Sequence, residues 1–143
     1  MVLMPRQQMD NHVIVCGYGV VGEKVVETLV SKGIKFVVID NDPKKIARLS
    51  ELGYPGIEGD ATHSKLLKEA GIESARAIAI AMDDDAKNLF AVLTARDLNK
   101  KLFIAARAND EFVREKLIEA GADYIVMPQR AASAEILKEL ENT

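Results

Sequence analysis

The 143-residue chain has no tryptophan, one cysteine, two histidines and four prolines, and its aromatic share is 5%. A lone Cys16 excludes an intramolecular disulfide framework and fits a reducing compartment. Neither His12 nor His63 has a cysteine or histidine partner at metal spacing, so no metal site is expected. No apolar stretch approaches the roughly 20 residues that span a bilayer. Residues 1–10 carry one arginine and lack the apolar run of a secretory signal; they read as a linker or chain end, taken here as 1–11. A strong excess of either charge is also missing. Lys+Arg number 19 against Asp+Glu 22, a net charge of −3 with both signs scattered, which argues against a nucleic-acid surface.

What is present is a globular composition, 48% hydrophobic, at a length that suits one domain and buries about two-thirds of its unfolded surface. Short apolar runs recur at His12–Cys16, Lys35–Ile39, Gly56–Glu58, Ala77–Ala81, Leu102–Ala106 and Tyr124–Met127. They lack period-two alternation, which predicts strands buried on both faces. Between them lie amphipathic stretches, Val20–Lys32, Pro43–Leu52, Ser64–Ala70, Asp85–Leu98, Asp110–Ala120 and Ala131–Leu140. Asp42 before Pro43 predicts a capped helix start, and Gly71 and Gly121 predict helix stops. Six strands alternating with six helices predict an α/β, doubly wound, Rossmann-like fold. Its six-stranded sheet is mostly parallel, with helices on both faces.

Gly17-Tyr18-Gly19-Val20-Val21-Gly22 is a G-x-G-x-x-G segment that follows the first strand and opens a helix. Asp40 closes the next apolar run, 18 residues after Gly22. That context marks a dinucleotide-binding turn. Gly17 permits the tight exit from the strand, Gly19 leaves room for a pyrophosphate, and Gly22 lets the helix pack on the sheet. Free N–H groups at the helix start then face the anion. Asp40 would accept hydrogen bonds from ribose hydroxyls and repel a 2′-phosphate, so NAD(H) or another adenosine nucleotide is favoured over NADP(H).

Ligands of open parallel sheets bind at the carboxyl ends of strands. Besides the glycine turn, those ends carry Asn41, Asp60 with Ala61, Met82 with Asp83, and Arg107, the one cation read there. Asp60 or Thr62 can equally cap the third helix, the acidic run can cap the fourth, and Arg107 can pair with a phosphate or with Asp83 or Asp84. Cys16 reads as a core thiol beside the phosphate turn.

HVIVCGYGVVG, VVID, EGDAT, DDDAKN, IAARA and GADYIVMP, in this order and spacing, resemble the regulator-of-potassium-conductance domain, also called the potassium-transport nucleotide-binding or TrkA N-terminal domain. The resemblance runs from about His12 to Leu140. It implies a cytoplasmic, non-catalytic regulatory domain at the inner face of the membrane. Such domains bind NAD(H) or adenine nucleotides, dimerise or form rings, and control a potassium channel or transporter subunit. By the motif, Gly17, Gly19 and Gly22 become the phosphate turn, Asp40 the ribose carboxylate, Asp60 and Ala61 the adenine side, and Asp83, Asp84 and Arg107 far-side contacts. The helices from Asp85 and Asp110 would contribute to subunit assembly. Read from its own residues, the last helix, 131–140, either closes the domain or reaches a partner subunit. Many members carry Arg where this chain has Val20, which favours NAD(H), AMP or ADP over ATP. A free subunit and a piece of a channel both remain open. So do two other functions: an assembly domain around a purely structural nucleotide, and a small NAD-dependent oxidoreductase. For the oxidoreductase, Tyr18 is the one nearby hydroxyl.

Overall fold

A computed structural model describes residues 9–143. The element order is β1 (Val13–Cys16), α1 (Val20–Ser31), β2 (Phe36–Asp40), α2 (Pro43–Glu51), β3 (Gly56–Glu58), α3 (Ser64–Glu69), β4 (Ala77–Ile80), α4 (Asp85–Leu98), β5 (Phe103–Arg107), α5 (Glu111–Ala120), β6 (Tyr124–Val126) and α6 (Pro128–Glu141). All six strands are parallel, in the order β3-β2-β1-β4-β5-β6. The chain winds outward from β1 in both directions, so the switch point lies between β1 and β4, with the β1–α1 turn at its mouth.

The central strand shows why the apolar runs lack alternation. Val15, Ile14 and Cys16 are wholly buried, Val15 on one face of the sheet and Ile14 and Cys16 on the other. On Val15's face lie Val26 and Leu29 of α1 and Leu49 of α2. On the opposite face lie Leu67 of α3, Ala91, Val92 and Ala95 of α4, and Leu117 of α5. Each fully buried aliphatic chain contributes about 1.5–3 kcal/mol, and alanines on α4 let that helix approach the sheet closely.

The outer strands depart from the doubly buried expectation. Register places Phe103, Ala105 and Tyr124 on the face that α1 and α2 cover elsewhere. There Phe103 is 51% and Tyr124 60% exposed. No residue of α6 is buried, and its Ile136, Leu137 and Leu140 stand in solvent. The described residues thus cover that face over β1–β3 and leave it partly open over β5 and β6. α6 also begins at Pro128, earlier than the apolar spacing predicts, because proline suits the first helical position.

Residues 1–8 of the expected linker lie outside the described residues. Met9–Asn11 are tied down: Ser74 Oγ donates to the Met9 carbonyl, Asn11 N–H to the Ser74 carbonyl, and Lys35 pairs with Asp10 at 3.2 Å. His12 is fully buried, with Nε2 2.7 Å from the Ala70 carbonyl and no partner on Nδ1. It is a core residue below the sheet, far from the strand ends described next.

Candidate functional site

The β1–α1 turn is built by its glycines. Gly17 has φ +99°, where a side chain is strained, and a Cβ there would lie 2.8 Å from the Ala81 carbonyl oxygen. A Cβ on Gly22 would overlap the carbonyl oxygen of Gly17. Gly19 differs: a Cβ there would meet nothing within 4 Å, and the residue lines an open crevice. Gly19 is also the N-cap of α1, with no side-chain cap, whereas Asp42, Asp84 and Asp110 cap α2, α4 and α5. The first N–H groups of α1 therefore remain available to an anion, reinforced by the helix dipole.

The crevice encloses about 170 Å³. Of the sequence-predicted residues it brings together Gly17, Tyr18, Gly19, Asp40, Asn41, Asp60, Ala61, Met82 and Asp83. Gly22, Val20, Val21 and Arg107 are not among its lining. Gly22 acts by packing, and Val20 faces solvent. Arg107 donates to Asp83 at 3.2 Å and to Asn109 at 3.3 Å, so of the two roles read for it the structure displays the ion pair.

Asp40 is 9% exposed and is held from both sides. Tyr18 N–H donates to its Oδ2 and Asp42 N–H to its Oδ1, each at 2.8 Å. The carboxylate is thereby fixed at the end of β2 and ties the glycine turn to it. A carboxylate accepts about four hydrogen bonds, so capacity for two ribose hydroxyls remains. Tyr18 enters the site through its backbone. Its side chain packs in the α1–α2 core, 6% exposed, and burial, then the nearby Glu23 charge, push the phenol above its ordinary value. Burial likewise pushes the Cys16 thiol up to about 12, which makes it inert as a nucleophile.

On the third strand end Asp60 caps no helix. Its Oδ1 accepts from the Thr62 hydroxyl at 2.7 Å and the Thr62 N–H at 2.9 Å, and His63 is the N-cap of α3. Those two hydrogen bonds hold the Asp60 carboxyl below its ordinary value, against an opposing desolvation, with help from His63 and Lys87. On the fourth, Asp84 caps α4 and Asp85 binds Asn109 from the fifth.

Three features escaped the sequence reading. Asn88, fully buried, accepts from Met82 N–H and donates to the carbonyls of Met82 and Arg107, clamping the ends of β4 and β5 together. Lys45 and Lys87 also line the crevice, so Arg107 is not the cation that faces it. Both lysines stand at the third position of a helix that follows a strand end. Side chains tilt toward a helix N-terminus, so this position reaches back over the strand ends. Among the described residues no group of three His, Cys, Asp or Glu is placed to hold a metal ion, and no helix is long and apolar enough to cross a membrane.

The residues present suit an adenosine nucleotide: an uncapped helix start for a phosphate, open space at Gly19, a fixed carboxylate for ribose, and small Ala61 beside Asp60. Comparison with known proteins agrees in family. The model of the TrkA-N domain matches residues 13–128. Potassium channel protein 1 of Methanocaldococcus jannaschii is 38% identical over 134 residues, 92% of this chain and 40% of that protein. The chain thus spans two-fifths of that relative's length. The TrkA-N domain of the inner membrane protein ybaL from Escherichia coli superposes with TM-score 0.89 at 28% identity, covering 93% of this chain and 98% of that one. The Kef C-terminal domain of Shewanella denitrificans in AMP-bound form gives 0.78 at 28% identity, over 88% of this chain and 76% of that one. The GsuK channel bound to NAD gives 0.77 at 25%, over 83% of this chain and 22% of that one.

Proposed function

The chain belongs to the TrkA-N domain family, and from that premise we propose that it is the nucleotide-sensing, regulatory domain of a potassium channel or transporter. The observation that carries this reading is the crevice at the switch point, where the uncapped start of α1 and the doubly held Asp40 face one space. NAD(H) is the favoured ligand, with AMP or ADP as alternatives; the similar GsuK channel is described bound to NAD and the similar Kef C-terminal domain bound to AMP.

Gly17, Tyr18, Gly19, Val20, Val21 and Gly22 form the phosphate turn, and Asp40 with Asn41 holds the ribose. Asp60 and Ala61 meet the adenine side. Met82 and Asp83 form the far wall, and Arg107 steadies Asp83. The protein's own groups bind and orient the ligand and supply no chemistry. Bound nucleotide acts by favouring one subunit arrangement over another, and it shifts that balance only as far as its affinities for the two differ. The domain, spanning 12–143, works as a homodimer or ring on the cytoplasmic side of its membrane partner. The exposed Phe103 and Tyr124 and the unburied α6 with its Ile136, Leu137 and Leu140 are apolar surface of the kind that subunit contacts cover.

Titration calorimetry of the protein with NAD⁺, NADH, AMP, ADP and ATP tests the reading. One site per chain with a submillimolar constant for at least one of the first four is expected. Absence of binding by all of them at millimolar concentration would contradict it.

A further inference from the structure

Resting on the nucleotide reading above, we propose that Lys45 is a ribose-binding residue that forms a two-sided clamp with Asp40: the carboxylate accepts from a ribose hydroxyl and the ammonium donates to a hydroxyl oxygen. Three observations carry it. Lys45 lines the same crevice as Asp40 and Asn41 and is half-buried. It stands in the first turn of α2, five residues after Asp40, where its side chain leans back toward the end of β2.

The third observation is that Lys45 has no ion-pair or side-chain hydrogen-bond partner among the described residues, while the carboxylates next to it are engaged. Asp40 holds two backbone N–H groups, and Asp42 accepts from Lys44 N–H. Arg48 of the same helix is paired with Glu23 at 3.1 Å, whereas Lys87, the other lysine of the crevice, like Lys45 has no side-chain partner among the described residues. Lys45 is therefore a cation held over the crevice with its donors unspent. A hydroxyl that gives its proton to Asp40 keeps lone pairs that need a donor, and an ammonium at this place supplies one. A charged donor to a neutral oxygen in a half-buried site corresponds to about tenfold in affinity.

A cycle of protein and ligand changes tests this. AMP, 2′-deoxy-AMP and 3′-deoxy-AMP are titrated into wild type, Lys45→Gln and Lys45→Arg, with circular dichroism melts to show that each is folded. Lys45→Gln is expected to weaken AMP about tenfold while weakening at least one deoxy analogue less than twofold, and Lys45→Arg to keep AMP within about threefold of wild type. Equal losses for all three ligands would assign Lys45 to long-range attraction of the phosphate and overturn the clamp, as would no loss at all. A wild type that binds none of the three would instead remove the AMP-site reading on which the clamp rests.

Discussion

Gly19 and Gly22 stand three residues apart and answer to different demands. A Cβ at Gly22 strikes backbone that cannot give way, whereas a Cβ at Gly19 meets only the open crevice, and Gly19's φ of −87° is one alanine adopts freely. Gly22→Ala is expected to lower stability by 2 kcal/mol or more, on the order of other overpacked sites. Gly19→Ala should leave the unfolding midpoint almost unchanged and weaken nucleotide binding more than tenfold. Urea unfolding with calorimetry on both variants separates the two roles. Asp60 gives a prediction in pH. Its folded pKa is depressed, first by the Thr62 hydroxyl and N–H, so its ionised form adds stability at neutral pH. That contribution is present above the unfolded value of about 4 and is lost as pH falls through the lower folded value. The stability gap between wild type and Asp60→Asn, measured by urea unfolding from pH 7 to pH 3, should close at the acid end. A gap that widens on acidification would reverse the assignment.

At the scale of elements, strand ends are held in place by side chains from the helices that follow. Asn88 of α4 is the clearest case, with three hydrogen bonds to backbone groups of β4's exit and β5. Replacing it by alanine leaves buried backbone groups unpaired, at about 1–3 kcal/mol each. Asn88→Ala should therefore lose about 3 kcal/mol or more in chemical unfolding, and Asn88→Asp, which keeps only acceptors, should not restore it. These same helix starts mark the limit of what the residue pattern discloses. Glycine spacing, the Asp42–Pro43 start and the β-branched runs are local signals, and they foretell the turn, α2 and the six strands in place. Lys45 and Lys87 are ordinary surface residues by spacing. They become part of the crevice only because strand ends and helix starts converge in three dimensions. Asn88 is invisible for the same reason: its partners lie six and nineteen residues away. Phe103 sits in an apolar run that reads as buried, but burial depends on what covers the strand, and here the cover on one face stops short.

For the molecule as a whole, apolar surface is left uncovered at Phe103, Tyr124, Phe112 and α6, and on the proposed function this is the face a second chain would cover. Light scattering should give about twice the 15.7 kDa of one chain. The double change Ile136→Asp and Leu140→Asp should shift the population to monomer without loss of helicity. A wild type that stays monomeric at 100 micromolar would exclude a stable pair. Nucleotide that binds only the folded state should also raise the melting temperature, by an amount set by its excess over the dissociation constant.

The most direct measurement is a two-dimensional ¹⁵N–¹H spectrum of the protein titrated with NAD⁺ and with AMP. The account predicts saturable shifts concentrated at the amides of Tyr18, Gly19, Val20, Asn41 and Ala61, with the far end of the sheet around His12 and Ser74 unchanged. Shifts confined to residues outside the crevice, or a spectrum indifferent to both nucleotides at millimolar concentration, would contradict it.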